Sequence, residues 1–259
     1  MPDIIQEQRG PILSLRLNRP DRLNAFSEEM LVGLKAALSG AATDEGVRVV
    51  VLSGEGRAFS AGGDVKTMGD VTPETVYQHI GLLNETILAM TQLEKPVVAA
   101  VHGVAAGAGF NLALASDLIV AAADARFIMS FVQVGLISDG GGLALLPRLV
   151  GPAVAKELFF LGEPLSAERA YQLGVVNRLA AEADLAETVE DLAMRLAQGP
   201  RFAMAQTKRL VELSTRASLM DMLKQEQITQ SVLVGTSDHQ EGVRAFLEKR
   251  RPRFMGEVN

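Results

Sequence analysis

Leu13, Leu15 and Leu17 alternate with Ser14, Arg16 and Asn18, a two-residue period that predicts a strand with one buried face. Ser27 followed by Glu28 and Glu29 predicts a helix start, with acidic groups at the positive end of the helix dipole. From Val47 to Leu52 the run is apolar except for Arg48, which suits a strand covered on both faces. A polar loop, Ser53 to Lys66, comes next. Thr72-Pro73 then opens a long helix whose Val76, Ile80, Leu83 and Ile87 line one side. Lys95-Pro96 ends that helix, and Val97 to Val101 reads as another buried strand. A glycine-rich turn at Gly107–Gly109 feeds a short helix, and Leu118 to Ala121 gives a further strand. Alternating strand and helix implies a mainly parallel sheet. Beyond residue 184 the pattern changes: Val189, Leu192, Ala193 and Leu196 have helical spacing, and no strand pattern follows. The chain therefore divides into an α/β core, residues 1–183, and a helical C-terminal region, residues 184–259, with no internal repeat.

Composition narrows the function classes. With 259 residues, 48% of them hydrophobic and 22% charged, the chain can bury a sizeable core. A formal net charge of −6 gives no bulk electrostatic case for nucleic acid. Lys249, Arg250, Arg251 and Arg253 form a local basic cluster that composition alone assigns to a solvated tail. There is no cysteine, which removes disulfides, thiolate metal sites and cysteine nucleophiles together. The first ten residues lack a signal-peptide pattern, and no apolar run approaches the ~20 residues of a membrane span. The expectation is a cytoplasmic protein without membrane or nucleic-acid partners.

Most familiar motifs are missing. There is no Walker-type phosphate loop and no HExxH. Gly54-Glu55-Gly56 and Gly107-Ala108-Gly109 have Phe59 and Leu112 where a dinucleotide fingerprint needs its third glycine. A Ser60–Asp139–His239 triad can be written in that order, but the segment around Ser60 lacks a turn glycine of the nucleophile elbow. His79, His102 and His239 are scattered. Two loops remain, Ala61–Asp64 and Gly107–Asn111, each following a buried strand, rich in glycine and alanine, and leading towards a helix. Small residues let a ligand reach backbone amides, and a helix start adds a positive field. Converging on one carbonyl oxygen, two such loops would form an oxyanion hole; a single loop could equally serve tight strand–helix packing.

At these residues the chain resembles the crotonase, or enoyl-CoA hydratase/isomerase, superfamily. The resemblance runs through Asn18-Arg19-Pro20-Asp21-Arg22-Leu23-Asn24-Ala25, Gly56 to Asp64, His102 to Asp117, Gly135 to Arg148, Leu165 to Ala170 with Gly174-Val175-Val176, and Glu241 to Arg251. It implies a spiral of ββα turns with a helical trimerisation region, assembled as a trimer or a dimer of trimers. It also implies an acyl-CoA thioester substrate, with coenzyme A part of that substrate and no metal or redox cofactor. By the same resemblance the amides of Gly63 and Ala108 hold the thioester oxygen. The adenine lies near Ala61, with Asp64 shaping that loop. Arg22 and Lys66 meet CoA phosphates, and Phe246 and Lys249 belong to a C-terminal helix covering the CoA site of the same or a neighbouring subunit.

Hydratases of this family carry two glutamates that activate water; the matching positions here hold Asn111 and Phe131. Asn cannot act as a general base and Phe has no proton to exchange, and loss of such groups costs about 10² to 10⁴ each. One carboxylate is left in the pocket, Asp139 in Gly135-Leu136-Ile137-Ser138-Asp139-Gly140-Gly141-Gly142. An acid at this position resembles the dienoyl-CoA isomerase and the phenylacetate-pathway ring-epoxide isomerase branches; the latter is similar also in the Val104–Gly109 run. Val134, Leu136, Ile137 and Leu143 suggest an apolar setting that would raise its pKa. Asp139 also reads as the N-cap of a helix through Gly142–Leu149. Asn111 reads as a hydrogen-bond donor to substrate or as a helix start, and Asp117 as structural. The expected function is an acyl-CoA isomerase that moves a double bond or opens a ring through a thioester enolate. Hydration at a non-standard water site, or acyl-CoA binding without turnover, are the alternatives.

Overall fold

The computed structural model describes residues 1–64 and 72–254. In chain order the elements are β1 (Ile4–Arg9), β2 (Ile12–Leu17), α1 (Glu28–Thr43), β3 (Val49–Gly54), α2 (Pro73–Thr91), β4 (Val97–Val101), β5 (Val104–Ala106), α3 (Ala108–Leu114), β6 (Leu118–Ala122) and β7 (Arg126–Ile128). They continue with α4 (Gly142–Leu161), β8 (Leu165–Ser166), α5 (Ala167–Gln172), β9 (Arg178–Ala180), α6 (Leu185–Ala197), α7 (Arg201–Ser214), α8 (Leu219–Leu233) and α9 (Ser237–Leu247). One sheet has the order β1-β2-β3-β4-β6-β9, parallel except for the β1/β2 hairpin. A small second sheet, β5-β7-β8, stands beside it. This is the α/β spiral anticipated from the sequence.

Local chemistry sets the element ends. The Ser27 hydroxyl accepts the amide of Met30 at 3.0 Å and starts α1. The Thr72 hydroxyl does the same for Thr75 at 3.2 Å, and Pro73 fills the first turn of α2, where no amide partner is needed. Leu15 and Leu17 are buried on one face of β2, while Val98, Ala99 and Val101 bury β4 on both. Two lysines close helix C-termini. Lys95 Nζ donates to the carbonyls of Ala41 and Asp44, the latter at 2.6 Å, beyond the last turn of α1. Lys208 Nζ on α7 donates to the carbonyls of Met90 and Lys95 at 3.0 and 3.3 Å, and pairs with Asp117 at 2.8 Å. Asp117 in turn accepts the amide of Val97 at 2.7 Å, which makes it a structural junction as expected.

One sequence expectation needs correction here. The inner stripe of α2 is Leu83, Thr86, Ile87 and Met90; Val76 faces solvent because the first turns of the helix reach past the core. The short strands β1, β5, β7, β8 and β9 had no readable alternation, being made by pairing rather than by pattern. After α6, which lays Val189, Leu192 and Ala193 on the sheet, only Ala205 and Ala245 are buried apolar residues among the described residues. No helix among the described residues is long and apolar enough to cross a membrane.

Candidate active site

The loop Ala61–Asp64 is fixed by Asn24, Ser60 and Arg19. Asn24, fully buried and left-handed at φ 55°, donates its amide to the carbonyls of Glu55 and Ala58 at 2.8 Å and reaches that of Phe59 at 3.2 Å. Its Oδ1 accepts the amide of Arg19 at 2.9 Å. Ser60 donates its hydroxyl to the Asn24 carbonyl at 2.8 Å and accepts the Gly62 amide at 3.1 Å. A buried hydroxyl held in this way is a positioning group, so the Ser60–Asp139–His239 triad does not form; His239 lies on α9, lining a separate cavity. The signal for Asn24 was its place within the Asn18–Ala25 run of the resemblance, but no pattern announces a left-handed asparagine. Arg19 adds a second hold, with NH2 3.5 Å from Asp64 and NH1 2.6 Å from the Ala25 carbonyl. Asp64 therefore serves the loop's shape.

The two loops meet side by side. Ser60 donates its amide to the Val104 carbonyl at 3.1 Å and its carbonyl accepts the Ala106 amide at 2.9 Å, a one-residue parallel bridge. Gly62, at φ 81°, leaves no room for a side chain: a Cβ there would stand 2.5 Å from the Ala106 carbonyl and 2.8 Å from the Ala108 nitrogen. Peptide planarity then aims the amides. The Gly62 carbonyl accepts the Phe26 amide at 2.7 Å, so the N–H of Gly63, trans to it in the same peptide, faces the other way. The Gly107 carbonyl accepts the Asn111 amide at 3.1 Å, so the N–H of Ala108 points out of the N-terminus of α3. Neither amide has an acceptor among the described residues, and the pair can serve as a two-donor oxyanion hole.

Asp139 lies in the loop before α4, where its main-chain carbonyl accepts Asn111 Nδ2 of α3 at 2.8 Å. Its Oδ1 is buried without a hydrogen-bond partner, and burial raises its pKa to about 6. It is not the cap of α4. That position belongs to Gly141, and Asp139 contributes only its main-chain carbonyl, which accepts the Gly142 amide at 3.0 Å. The apolar setting also has a different origin from the one expected. Val134, Leu136, Ile137 and Leu143 are exposed in the single chain, whereas Gly140 and Gly141 lie against Leu83 and Ile87 of α2.

Asn111 is fully buried within α3, one turn past Ala108, so it does not start the helix. Its Nδ2 donates to Ser138 Oγ at 3.0 Å and to the Asp139 carbonyl at 2.8 Å, which leaves neither amide hydrogen for a substrate. The Phe131 ring lies against Gly107 and places an apolar wall beside the start of α3.

The CoA-side residues are partly gathered. Ala61 donates its amide to the Leu23 carbonyl at 2.8 Å, which brings exposed Arg22 next to the loop. Lys66 lies outside the described residues. Phe246 is on α9, 82% exposed, and borders a cavity of about 440 Å³ with Ala203, Leu233 and Phe254 that includes neither loop. Lys249 falls beyond α9 in a left-handed turn, not within the helix. The basic tail folds back there, since Arg250 forks onto Glu241 at 2.6 and 3.0 Å.

Comparison with known proteins bears on this arrangement. The chain is 38% identical to the 1,2-epoxyphenylacetyl-CoA isomerase of Escherichia coli over 99% of both chains. It is 34% identical to the trans-2-decenoyl-[acyl-carrier-protein] isomerase of Streptococcus mutans over 98% of both. The crystal structure of an enoyl-CoA hydratase from Mycobacterium smegmatis superimposes with a TM-score of 0.94 at 36% identity, covering 99% of this chain and 100% of that one. Isomerase and hydratase names thus both occur among its relatives. A sequence profile of the enoyl-CoA hydratase/isomerase family matches residues 7–257, and the chain belongs to that family.

Proposed function

We propose that the protein is an acyl-CoA isomerase that shifts a double bond, or opens a ring, through a thioester enolate. Gly63 and Ala108 would hold the thioester oxygen, whose charge grows as the enolate forms. Asp139 would take a proton from one carbon of the acyl group and return it to another. Such a shuttle consumes no water and needs one base, no metal and no redox cofactor. Arg22, Ala61 and Lys66 would receive the CoA, and the helices after residue 184 would serve assembly and cover the CoA. The observation that carries this reading is the pairing of Asp139, whose buried Oδ1 has no hydrogen-bond partner, with Asn111 and Phe131 at the two positions where water activation would need acids.

The test is to incubate the protein with a 3-enoyl-CoA and a 2-enoyl-CoA in deuterated water, following isomerisation, hydration and α-exchange separately. Isomerisation with α-exchange is expected. In Asp139→Asn both should fall by at least ~10²-fold with little change in CoA-ester affinity. Hydration as the main reaction, or near-normal exchange in folded Asp139→Asn, would defeat the proposal.

A further inference from the structure

The base and the oxyanion hole come from different elements, and one side chain joins them. Ala108 begins α3 and Asn111 stands one turn later on the same helix. Asp139 sits in the loop before α4, 28 residues further along the chain. The carboxamide of Asn111 spends both its hydrogens on that loop, one on Ser138 Oγ at 3.0 Å and one on the Asp139 carbonyl at 2.8 Å. The orientation of the amide is not ambiguous. Turning it over would set Oδ1 against the Asp139 carbonyl, two acceptors facing each other without a proton. The space for this clasp is made by Gly142, where a Cβ would stand 2.2 Å from Asn111 Oδ1 and 2.3 Å from Ser138 Oγ. We infer that Asn111 is a positioning residue: it clamps the Asp139 peptide to α3, so that the base keeps a fixed place relative to the Ala108 amide.

This inference rests on the reading of Asp139 as the base, and it makes a different demand. Proton transfer between carbons tolerates little misplacement, and a shift of about 1 Å can cost on the order of 10²-fold. Asn111→Asp is nearly isosteric, but an ionised carboxylate has no hydrogen for the Asp139 carbonyl. Its kcat for isomerisation and its α-exchange rate should fall about 10²-fold, with KM for the CoA ester unchanged.

A residue that merely stabilises the fold could lower kcat as well, so the deciding measurement is a double-mutant cycle. If Asn111 acts through Asp139, adding Asn111→Asp to Asp139→Asn should lower the residual exchange no further. A kcat within about threefold of normal, a raised KM, or the same loss in both backgrounds would overturn the inference. Where the buried charge prevents folding, Asn111→Ala serves instead, with the same outcomes read in the same way. The two hypotheses fail separately. Unchanged exchange in Asp139→Asn removes the base; a slow Asp139→Asn beside a fast Asn111→Asp removes only the clamp.

Discussion

At the scale of single residues the site depends on a carboxylate kept from its usual solvation. Burial lifts Asp139 to about 6, above the range of an exposed carboxyl. Because the base must be ionised, kcat/KM should decline below about pH 6 and level off above it. The same shift makes a prediction for stability, with the sign fixed by proton counting. Between about pH 4 and 6 the folded state binds the proton more tightly than the unfolded chain, so this group's destabilising effect grows as pH rises and is complete above about 6. Asp139→Asn removes that penalty. Its gain in unfolding free energy should be larger at pH 8 than at pH 4 by on the order of 1–2 kcal/mol, measured by urea titration at the two pH values. A pH-independent difference would show that Asp139 is not desolvated. The hole has its own single-residue test. Gly63→Pro deletes one amide donor without altering charge and should slow turnover by about 10²- to 10³-fold. Unchanged turnover in a folded variant would place the oxyanion elsewhere.

At the scale of elements, α6 packs the C-terminal region on the sheet through apolar side chains, and a lysine cap adds α7 to it. Lys208 reaches from α7 to the end of α2 and to Asp117, and its side chain is only 10% exposed. Lys208→Met would remove a donor from two carbonyls and leave the partly exposed Asp117 carboxylate with the Val97 amide but no counter-charge. A loss of about 2–3 kcal/mol is expected, together with faster amide hydrogen exchange in α7 than in β4. Unchanged stability would mean that α7 is held by its apolar contacts alone. The sequence disclosed the elements that carry a clean period, such as β2 and α6, the unbroken apolar run of β4, and the two glycine-rich loops. It gave no sign of Lys208, because a long-range ion pair leaves no local pattern. Asp139 as a cap was a fair reading of an acid three residues before a helix. It failed because the left-handed Gly140 and Gly141 turn the chain so that Gly141, not Asp139, stands at the helix start. The clasp by Asn111 was equally hidden, since it joins residues from separate elements.

At the scale of the whole molecule, one chain leaves apolar surface that it does not cover. Helix α8 has no buried residue, although Leu219, Met220, Leu223, Ile228 and Val232 all lie on it. Near the site, Ile137 and Leu143 flank Asp139 in sequence and are 78% and 52% exposed. Apolar surface of this extent in a monomer marks an interface. A second copy laid on it would also remove water from the neighbourhood of Asp139, strengthening the electrostatics of the hole. The exposed surface argues for assembly, and the family resemblance implies a trimer or a dimer of trimers, which light scattering at micromolar concentration should show. Only monomer at that concentration would refute it. A sharper version uses Leu223→Glu with Val232→Glu, both exposed in the single chain and remote in sequence from the two loops. If α8 faces a neighbouring copy, two charges there should shift the assembly towards smaller species. If α8 is merely a solvated helix, the doubly substituted protein should keep its mass and its turnover.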